Sequence, residues 1–495
     1  MTIMNHRFLT ISVSLILTHQ HSQFGASAFT NTATGRLLLR RATAVRAVHV
    51  TSLPEFNSKK DYEDFVKAPQ VSTLPKGFSC GSAVGTFVSV EAPAMGNLPI
   101  KATVISLDQP TDSWAACFTK NKFPGAPVII GRSRLNADGP LQALVINNKV
   151  SNVCAGGDGV ADSEQICAAV ASALKLPMGP TSVLPSSTGV IGWRLPAKEL
   201  SVDIVPKAIE AMQTLSAFPA AQAIMTTDRW PKIRSCVLPN SGARIVGIAK
   251  GAGMIEPNMA TMLSYIFTDA IIPKDYLRKC LSEIVDESYN SISVDGDEST
   301  SDTVVCLASN KVALSSQEEW KDALTQICKG LAADIVRNGE GTGHVMRVTV
   351  SNYPGPNKDA RRLGRRIVNS PLFKCAVKGN DPNTGRLAAA IGSFIGRESN
   401  GDDISLSDMA LTLGGRTIFS KGKFILEGDA VEKELSNHMK DAEFNEHEEF
   451  PRHQRFVDIG VDFGVAPGNT NKGSAVVFGS DLTNEYIAVN ADYRS

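Results

Sequence analysis

Strand-like and helix-like stretches follow one another along this chain with no regular spacing, and that irregularity constrains its fold more than any other feature. Apolar runs flanked by turn residues, Leu141 to Ile146 and Val345 to Val350, read as strands, the first longer and more buried than the second. Ser316-Gln317-Glu318-Glu319 is a capping box opening a helix whose apolar face holds Trp320, Leu324, Ile327, Leu331 and Ile335, and which stops near Gly339. Amphipathic patterns also run from Asp162 to Leu176 and from Lys274 to about Asn290. A doubly wound sheet would repeat a strand-helix-strand unit about every thirty residues; without that period a layered α+β fold is favoured. No internal repeat is found, and the charge- and histidine-rich stretch from Asn437 to Gln454 reads as a solvated loop or linker.

Length and composition narrow the function only by exclusion. The 495 residues are 43% apolar and 20% charged with zero formal net charge, an ordinary globular composition long enough for two or three domains. With neither a basic nor an acidic surplus, nothing points to nucleic acid or a membrane surface as partner, and a small-molecule enzyme is expected. The nine cysteines, an odd number without a C-x-x-C pair, read as buried reduced thiols. Four of the eight histidines fall in the first fifty residues, so a histidine-based triad or metal site is hard to assemble from His344, His438, His447 and His453.

The first 54 residues carry five arginines and no Asp or Glu. Phe8 to Leu17 form an apolar run too short to span a bilayer, and Ala26-Ser27-Ala28-Phe29 supplies an A-x-A cleavage pattern. Residues 1–28 therefore read as a signal peptide and 29–55, with Arg36, Arg40, Arg41 and Arg46, as a transit-like segment. Together they resemble the bipartite plastid presequence of algae with secondary plastids; a mitochondrial presequence is the alternative. Removal of residues 1 to about 50 would leave a mildly acidic protein.

The most unusual stretch is Gly247-Ile248-Ala249-Lys250-Gly251-Ala252-Gly253-Met254-Ile255-Glu256-Pro257-Asn258-Met259-Ala260-Thr261-Met262-Leu263. As a phosphate loop it fails, because Lys250 precedes the second glycine and no Ser or Thr follows it directly. As a cleavage site it makes physical sense: a glycine-rich approach lets the backbone bend until the Thr261 hydroxyl reaches the Ala260 carbonyl carbon. An acyl shift and hydrolysis would free the Thr261 amine, whose ordinary pKa of about 7.7–8.0 suits it as base for its own hydroxyl. Asp295-Gly296-Asp297 does not follow calcium-loop spacing, since Thr300 and Cys306 stand at the sixth and twelfth positions, and reads as a turn supporting the site.

Lys250 to Leu263 resembles the K-G-[SA]-G-M-I-x-P-N-M-A-T-M-L signature of the ornithine acetyltransferases, the bifunctional ArgJ family of arginine biosynthesis. Further matching blocks are Ser187 to Gly192, Ala223 to Asp228, Val294 to Asp297, Asn338 to Gly341, Gly379 to Asn383 with Gly385-Arg386, and Val489 to Ser495. They span roughly residue 80 to the C-terminus in the family's order. The resemblance implies an αββα-type layered fold, two sheets between helices, with a C-terminal α/β domain and Thr261 heading an internal strand. It implies an α chain of residues 70–260 and a β chain of 261–495, cut between Ala260 and Thr261 and assembled as two of each.

By the same resemblance Thr261 is the nucleophile, Thr188 and Gly189 form the oxyanion hole, and Thr226, Thr227, Lys250, Thr261, Glu340, Asn490 and Ser495 bind substrate. The implied reaction is ping-pong acetyl transfer from N-acetylornithine to glutamate; whether acetyl-CoA also serves as donor is left open. No metal and no organic cofactor is implied. Two departures stand out: the family usually has D-G-E-G-A-T-K where this chain has Asn338 to His344, and a Trp where Thr384 stands. They motivate a rival, a binding protein without activity; the other is a self-cleaving aminopeptidase of the same architecture.

Overall fold

The central strand Leu263–Ala270 explains the layering of the protein. All eight of its residues are buried, so neither face can meet water. Successive side chains of a strand point to opposite faces, and here Leu263, Tyr265 and Phe267 enter one core while Ile266 and Ala270 enter another. In the computed structural model, which describes residues 50–51, 53–256, 262–398, 406–425, 428–464 and 472–491, this strand sits third in a five-stranded sheet. The order is Trp114–Phe118, Thr303–Val312, Leu263–Ala270, Arg244–Lys250 and Lys232–Val237, with the second and third strands parallel and the other pairings antiparallel.

A four-stranded sheet, ordered Phe78–Val88, Asn97–Thr111, Leu141–Asn147 and Val183–Ser187, faces it. Phe78, Ile105, Leu144 and Leu184 from this sheet share a core with Ile233, Ile248, Tyr265 and Val305 from the other. Helix Gly159–Ala173 covers the outer face of the four-stranded sheet through Ile166, Cys167 and Val170. Helices Lys274–Glu287 and Gln317–Arg337 cover the outer face of the five-stranded one. The result is the expected sequence of helix, sheet, sheet and helix. A third, seven-stranded sheet, which includes Val345–Pro354, Val457–Asp462 and Lys472–Ser480, has its own core with helices Asn357–Val368, Thr384–Glu398 and Gly428–Asp441.

The capping box behaves as its chemistry requires: the Ser316 hydroxyl accepts the Glu319 N–H, and Trp320, Leu324, Ile327, Leu331 and Ile335 are buried along the helix. Three expectations need correction. Val345–Pro354 is ten residues against seven for Leu141–Asn147, because its alternating burial lets it extend past the core, although the shorter strand is the more buried. Asn437 to Gln454 is not a solvated linker: the helix Gly428–Asp441 runs into it, and Met439, Ala442, Phe444 and His453 are buried. Charge density hid those four inward-facing side chains. Of the nine cysteines, all unpaired, Cys154 and Cys375 are exposed and the other seven buried.

Packing begins at the first described residues. Thr51 N–H donates to the Ser235 carbonyl at 2.9 Å, and Leu53 and Phe56 are buried with Tyr62 and Trp230. Thr51 and Leu53 fall within the 29–55 segment expected to be transit-like; residues 1–49 and 52 lie outside the described residues. No helix among the described residues is long and apolar enough to cross a membrane.

Ile266 has no exposed surface at the middle of the central strand. Ile266→Ala should lower unfolding free energy by about 2–5 kcal/mol, read as a reduced urea midpoint with an unchanged slope.

Candidate active site

Where the facing sheets end, seven separate stretches of the chain enclose a chamber of about 300 Å³. It is lined by Thr188, Gly189, Thr226, Thr227, Lys250, Glu340 and Asn490, together with Met254, Met262 and Asp302. Seven of the expected site residues are thus brought together from positions far apart in sequence. Ala260, Thr261 and Ser495 lie outside the described residues, but Met262, one peptide bond after Thr261, is part of the chamber wall.

Thr188 and Gly189 follow directly from the strand Val183–Ser187. The Thr188 N–H donates to the Asn147 carbonyl at 3.1 Å and the Val190 N–H to the Lys149 carbonyl at 2.9 Å. Gly189 has φ +130°, and a Cβ there would come 2.2 Å from the Lys149 carbonyl carbon, so no other residue fits this close approach. Lys250, the last residue of its strand, donates from Nζ to Thr188 Oγ1 at 2.9 Å. A hydroxyl that accepts from an ammonium keeps its own proton for another acceptor, which suits Thr188 to stabilise a developing negative oxygen.

Glu340 follows the helix Gln317–Arg337, and its N–H donates to the Ala252 carbonyl at 2.9 Å. Its carboxylate accepts from Asn490 Nδ2 at 3.0 Å and from Thr227. Gly253 lies against it; a Cβ at that glycine would be 2.3 Å from Glu340 Oε2. Burial pushes the Glu340 carboxyl above its ordinary range and the Lys250 ammonium below its own. Both shifts report lost hydration, so each group gains by meeting an opposite charge on a ligand.

The glycine-rich segment is held by carboxylates on both sides. Asp228 accepts from the Thr226 N–H at 3.1 Å, from the Gly251 N–H at 2.7 Å and from the Lys232 ammonium. Burial alone would raise this carboxyl, but Lys232 and Lys250 outweigh it and hold it at about 2. On the other side, Asp295 accepts from the Met254 and Ile255 N–H groups, each at 2.8 Å, which gives the Asp295-Gly296-Asp297 turn the supporting role expected of it. Glu256, the last described residue before Thr261, accepts from Ser293 Oγ at 3.0 Å and from Asn369. Sequence reasoning gave no role to Asp228, Glu256 or the Ser299 to Asp302 wall. Asp228 stood inside a matched block, and its place next to two site threonines was the available signal.

The two departures do not line the chamber. His344 has no exposed surface; its Nδ1 bonds Asp481 Oδ2 at 2.7 Å and its Nε2 bonds Asn380 Oδ1 at 3.0 Å. Thr384 is the first residue of the helix Thr384–Glu398, packed with the third sheet. Among the described residues no three His, Cys, Asp or Glu gather as a metal site.

A small chamber at sheet ends, with one ammonium, two carboxylates and several hydroxyls, defines a site for a small molecule carrying both charges. The ArgJ family model matches residues 97–495, and the chain belongs to that family. It is 37% identical over 430 residues to arginine biosynthesis bifunctional protein ArgJ 2 of Clostridium acetobutylicum, covering 85% of this chain and 98% of that one. It is 36% identical over 399 residues to the glutamate N-acetyltransferase of Methanosarcina acetivorans, covering 79% and 93%. Among solved structures, the ornithine acetyltransferase of Mycobacterium tuberculosis complexed with ornithine matches at 32% identity and TM-score 0.33, over 39% of this chain and 97% of that one.

Asp228 is charged above its unfolded pKa of about 3.9, so its contribution is present at neutral pH and is lost as pH falls through about 2. Asp228→Asn should cost about 3–5 kcal/mol at pH 7, because Lys232 is left buried without a counter-ion. The gap between variant and parent should narrow toward pH 2; urea unfolding at pH 7 and pH 3 measures both.

Proposed function

We propose that this chain is a glutamate N-acetyltransferase of arginine biosynthesis, which cuts itself between Ala260 and Thr261 and transfers acetyl groups from N-acetylornithine to glutamate. The observation that carries the reading is the chamber itself: Lys250 bonded to Thr188, with Glu340 bonded to Asn490, beside the residue that follows Thr261. In the first event the Thr261 hydroxyl attacks the Ala260 carbonyl, the peptide C–N bond breaks, and water hydrolyses the resulting ester. This leaves an Ala260 carboxylate and a Thr261 amine.

In turnover that amine takes the hydroxyl proton while Oγ attacks the acetyl carbonyl. The negative oxygen is stabilised by the Gly189 N–H and the Thr188 hydroxyl, and ornithine leaves carrying the proton. Glutamate's amine then attacks the acetyl ester, the C–Oγ bond breaks, and N-acetylglutamate departs. Lys250 pairs with the donor's carboxylate, Glu340 with its side-chain ammonium, and Thr226, Thr227, Asn490 and Ser495 orient the rest. The α chain of 70–260 and β chain of 261–495 assemble as two of each. Residues 1–28 and 29–55 direct the protein to a plastid, the arginine-bearing composition of residues 1–54, without Asp or Glu, supporting an import signal.

Intact mass and N-terminal sequencing of protein lacking the presequence test self-cleavage. A fragment of 495 − 260 = 235 residues beginning Thr-Met-Leu is expected, together with acetyl transfer to glutamate. Thr261→Ser should still cut and Thr261→Ala should stay one inactive chain; a cut Thr261→Ala protein would rule out the intramolecular mechanism. Residues 1–55 fused to a fluorescent protein should enter plastids, and mitochondrial fluorescence would reverse the assignment.

A further inference from the structure

A second lobe of about 430 Å³ adjoins the chamber and shares Gly189, Val190, Thr226 and Thr227 with it. Two cations, Lys101 and Lys149, line it, and among the described residues neither takes part in an ion pair. Their backbones are fixed. Lys149 has φ +67° and its carbonyl accepts the Val190 N–H at 2.9 Å, directly behind Gly189. The Asn148 side chain accepts the Lys101 N–H at 2.8 Å and donates to the Met225 carbonyl at 3.1 Å, joining the two walls of the lobe.

The chamber's own charges explain what such a lobe is for. Its lining holds one cation, Lys250, and two carboxylates, Asp302 and Glu340. That set suits a donor with one carboxylate and one ammonium. An acceptor with two carboxylates, whose amine must be neutral to attack, would place one carboxylate beside Glu340 or Asp302 if it took the same pose. Like charges in a desolvated site repel strongly. Lys101 and Lys149 line the lobe that shares Gly189, Val190, Thr226 and Thr227 with the chamber, and so supply the cations of the adjoining space.

We propose that the lobe lined by Lys101 and Lys149 holds the second carboxylate of a dicarboxylate acceptor, so donor and acceptor use different arms of one cavity. This rests on the acetyl-transfer reading of the site. The lobe selects the acceptor; it takes no part in attack on the acetyl group.

The test compares the cleaved enzyme with Lys149→Gly, Lys101→Gln and Lys149→Arg, measuring glutamate and ornithine binding by calorimetry beside the KM for glutamate and for N-acetylornithine. Glycine suits the left-handed backbone at position 149, so Lys149→Gly removes the charge without straining the fold. Glutamate Kd and KM should rise about tenfold in Lys149→Gly and Lys101→Gln, as expected for loss of a charge-assisted hydrogen bond. Ornithine binding and the KM for N-acetylornithine should stay within about twofold, and Lys149→Arg should retain glutamate affinity because it keeps the charge. Unchanged glutamate binding, or parallel losses for both ligands, overturns the proposal, as does failure of the unaltered enzyme to bind glutamate. Absence of acetyl transfer in the unaltered enzyme would instead strike the proposed function, while calorimetric glutamate affinity would still decide the lobe.

Discussion

The Asp228 carboxylate is the contact on which the site depends. It is buried, pairs with an equally buried Lys232, and accepts N–H groups from both the Thr226 loop and the Gly251 turn. A charge removed from water must be neutralised and hydrogen-bonded or it destabilises the fold, and those demands select one arrangement of the surrounding backbone. Lys232 extends the network to Asn338 Oδ1 at 2.6 Å, and Asn338 immediately precedes the Gly339-Glu340 turn. One ion pair therefore sets the relative positions of the threonine loop, the glycine-rich turn and the Glu340 turn. Lys250 and Glu340 meet in the chamber because their supports meet behind it.

Around this centre the chain separates rigidity from reach. Thr188 and Lys250 stand at the ends of strands and inherit the precision of the sheets. Glu340 follows a long, well-capped helix, while Asn490 approaches from the last described helix, Asn484–Ala491, and stays exposed at the rim. The chamber side chains next to strand ends, Thr188 and Lys250, are thus the more firmly held. Glu340 and Asn490 are borne on a turn and a terminal helix, elements that yield more easily.

The sequence alone made much of this legible, for identifiable reasons. The helix from Gln317 announced itself through a capping box and a 3.6-residue apolar period, both local signals. The layered fold followed from the missing strand-helix-strand rhythm, and the matched blocks pointed to seven chamber residues. What stayed hidden was nonlocal. Met439 packs in the core of the third sheet, Phe444 in that of the five-stranded sheet and His453 against the Phe444 ring; remote partners decide this burial, while local charge gave the opposite impression. The partners of Asp228 lie 23 and 110 residues away at Gly251 and, through Lys232, Asn338, and no periodicity encodes such a meeting. His344 looked like a lost site lysine, yet its bonds to Asp481 and Asn380 place it in the interior behind the chamber.

The strands that flank residues 251–262 in sequence are neighbours in one sheet, paired from Ile245 with Thr268 to Lys250 with Leu263. On its other side the strand Leu263–Ala270 lies along Thr303–Val312, which in turn pairs with Trp114–Phe118 from far upstream. Strands from before and after residue 260 are therefore interleaved, and a cut there would leave two pieces woven through one core. Such pieces would hold together with no linker. Once unfolded, however, they would have to find each other by diffusion, so recovery would depend on concentration, and a step that began as unimolecular would have become second-order.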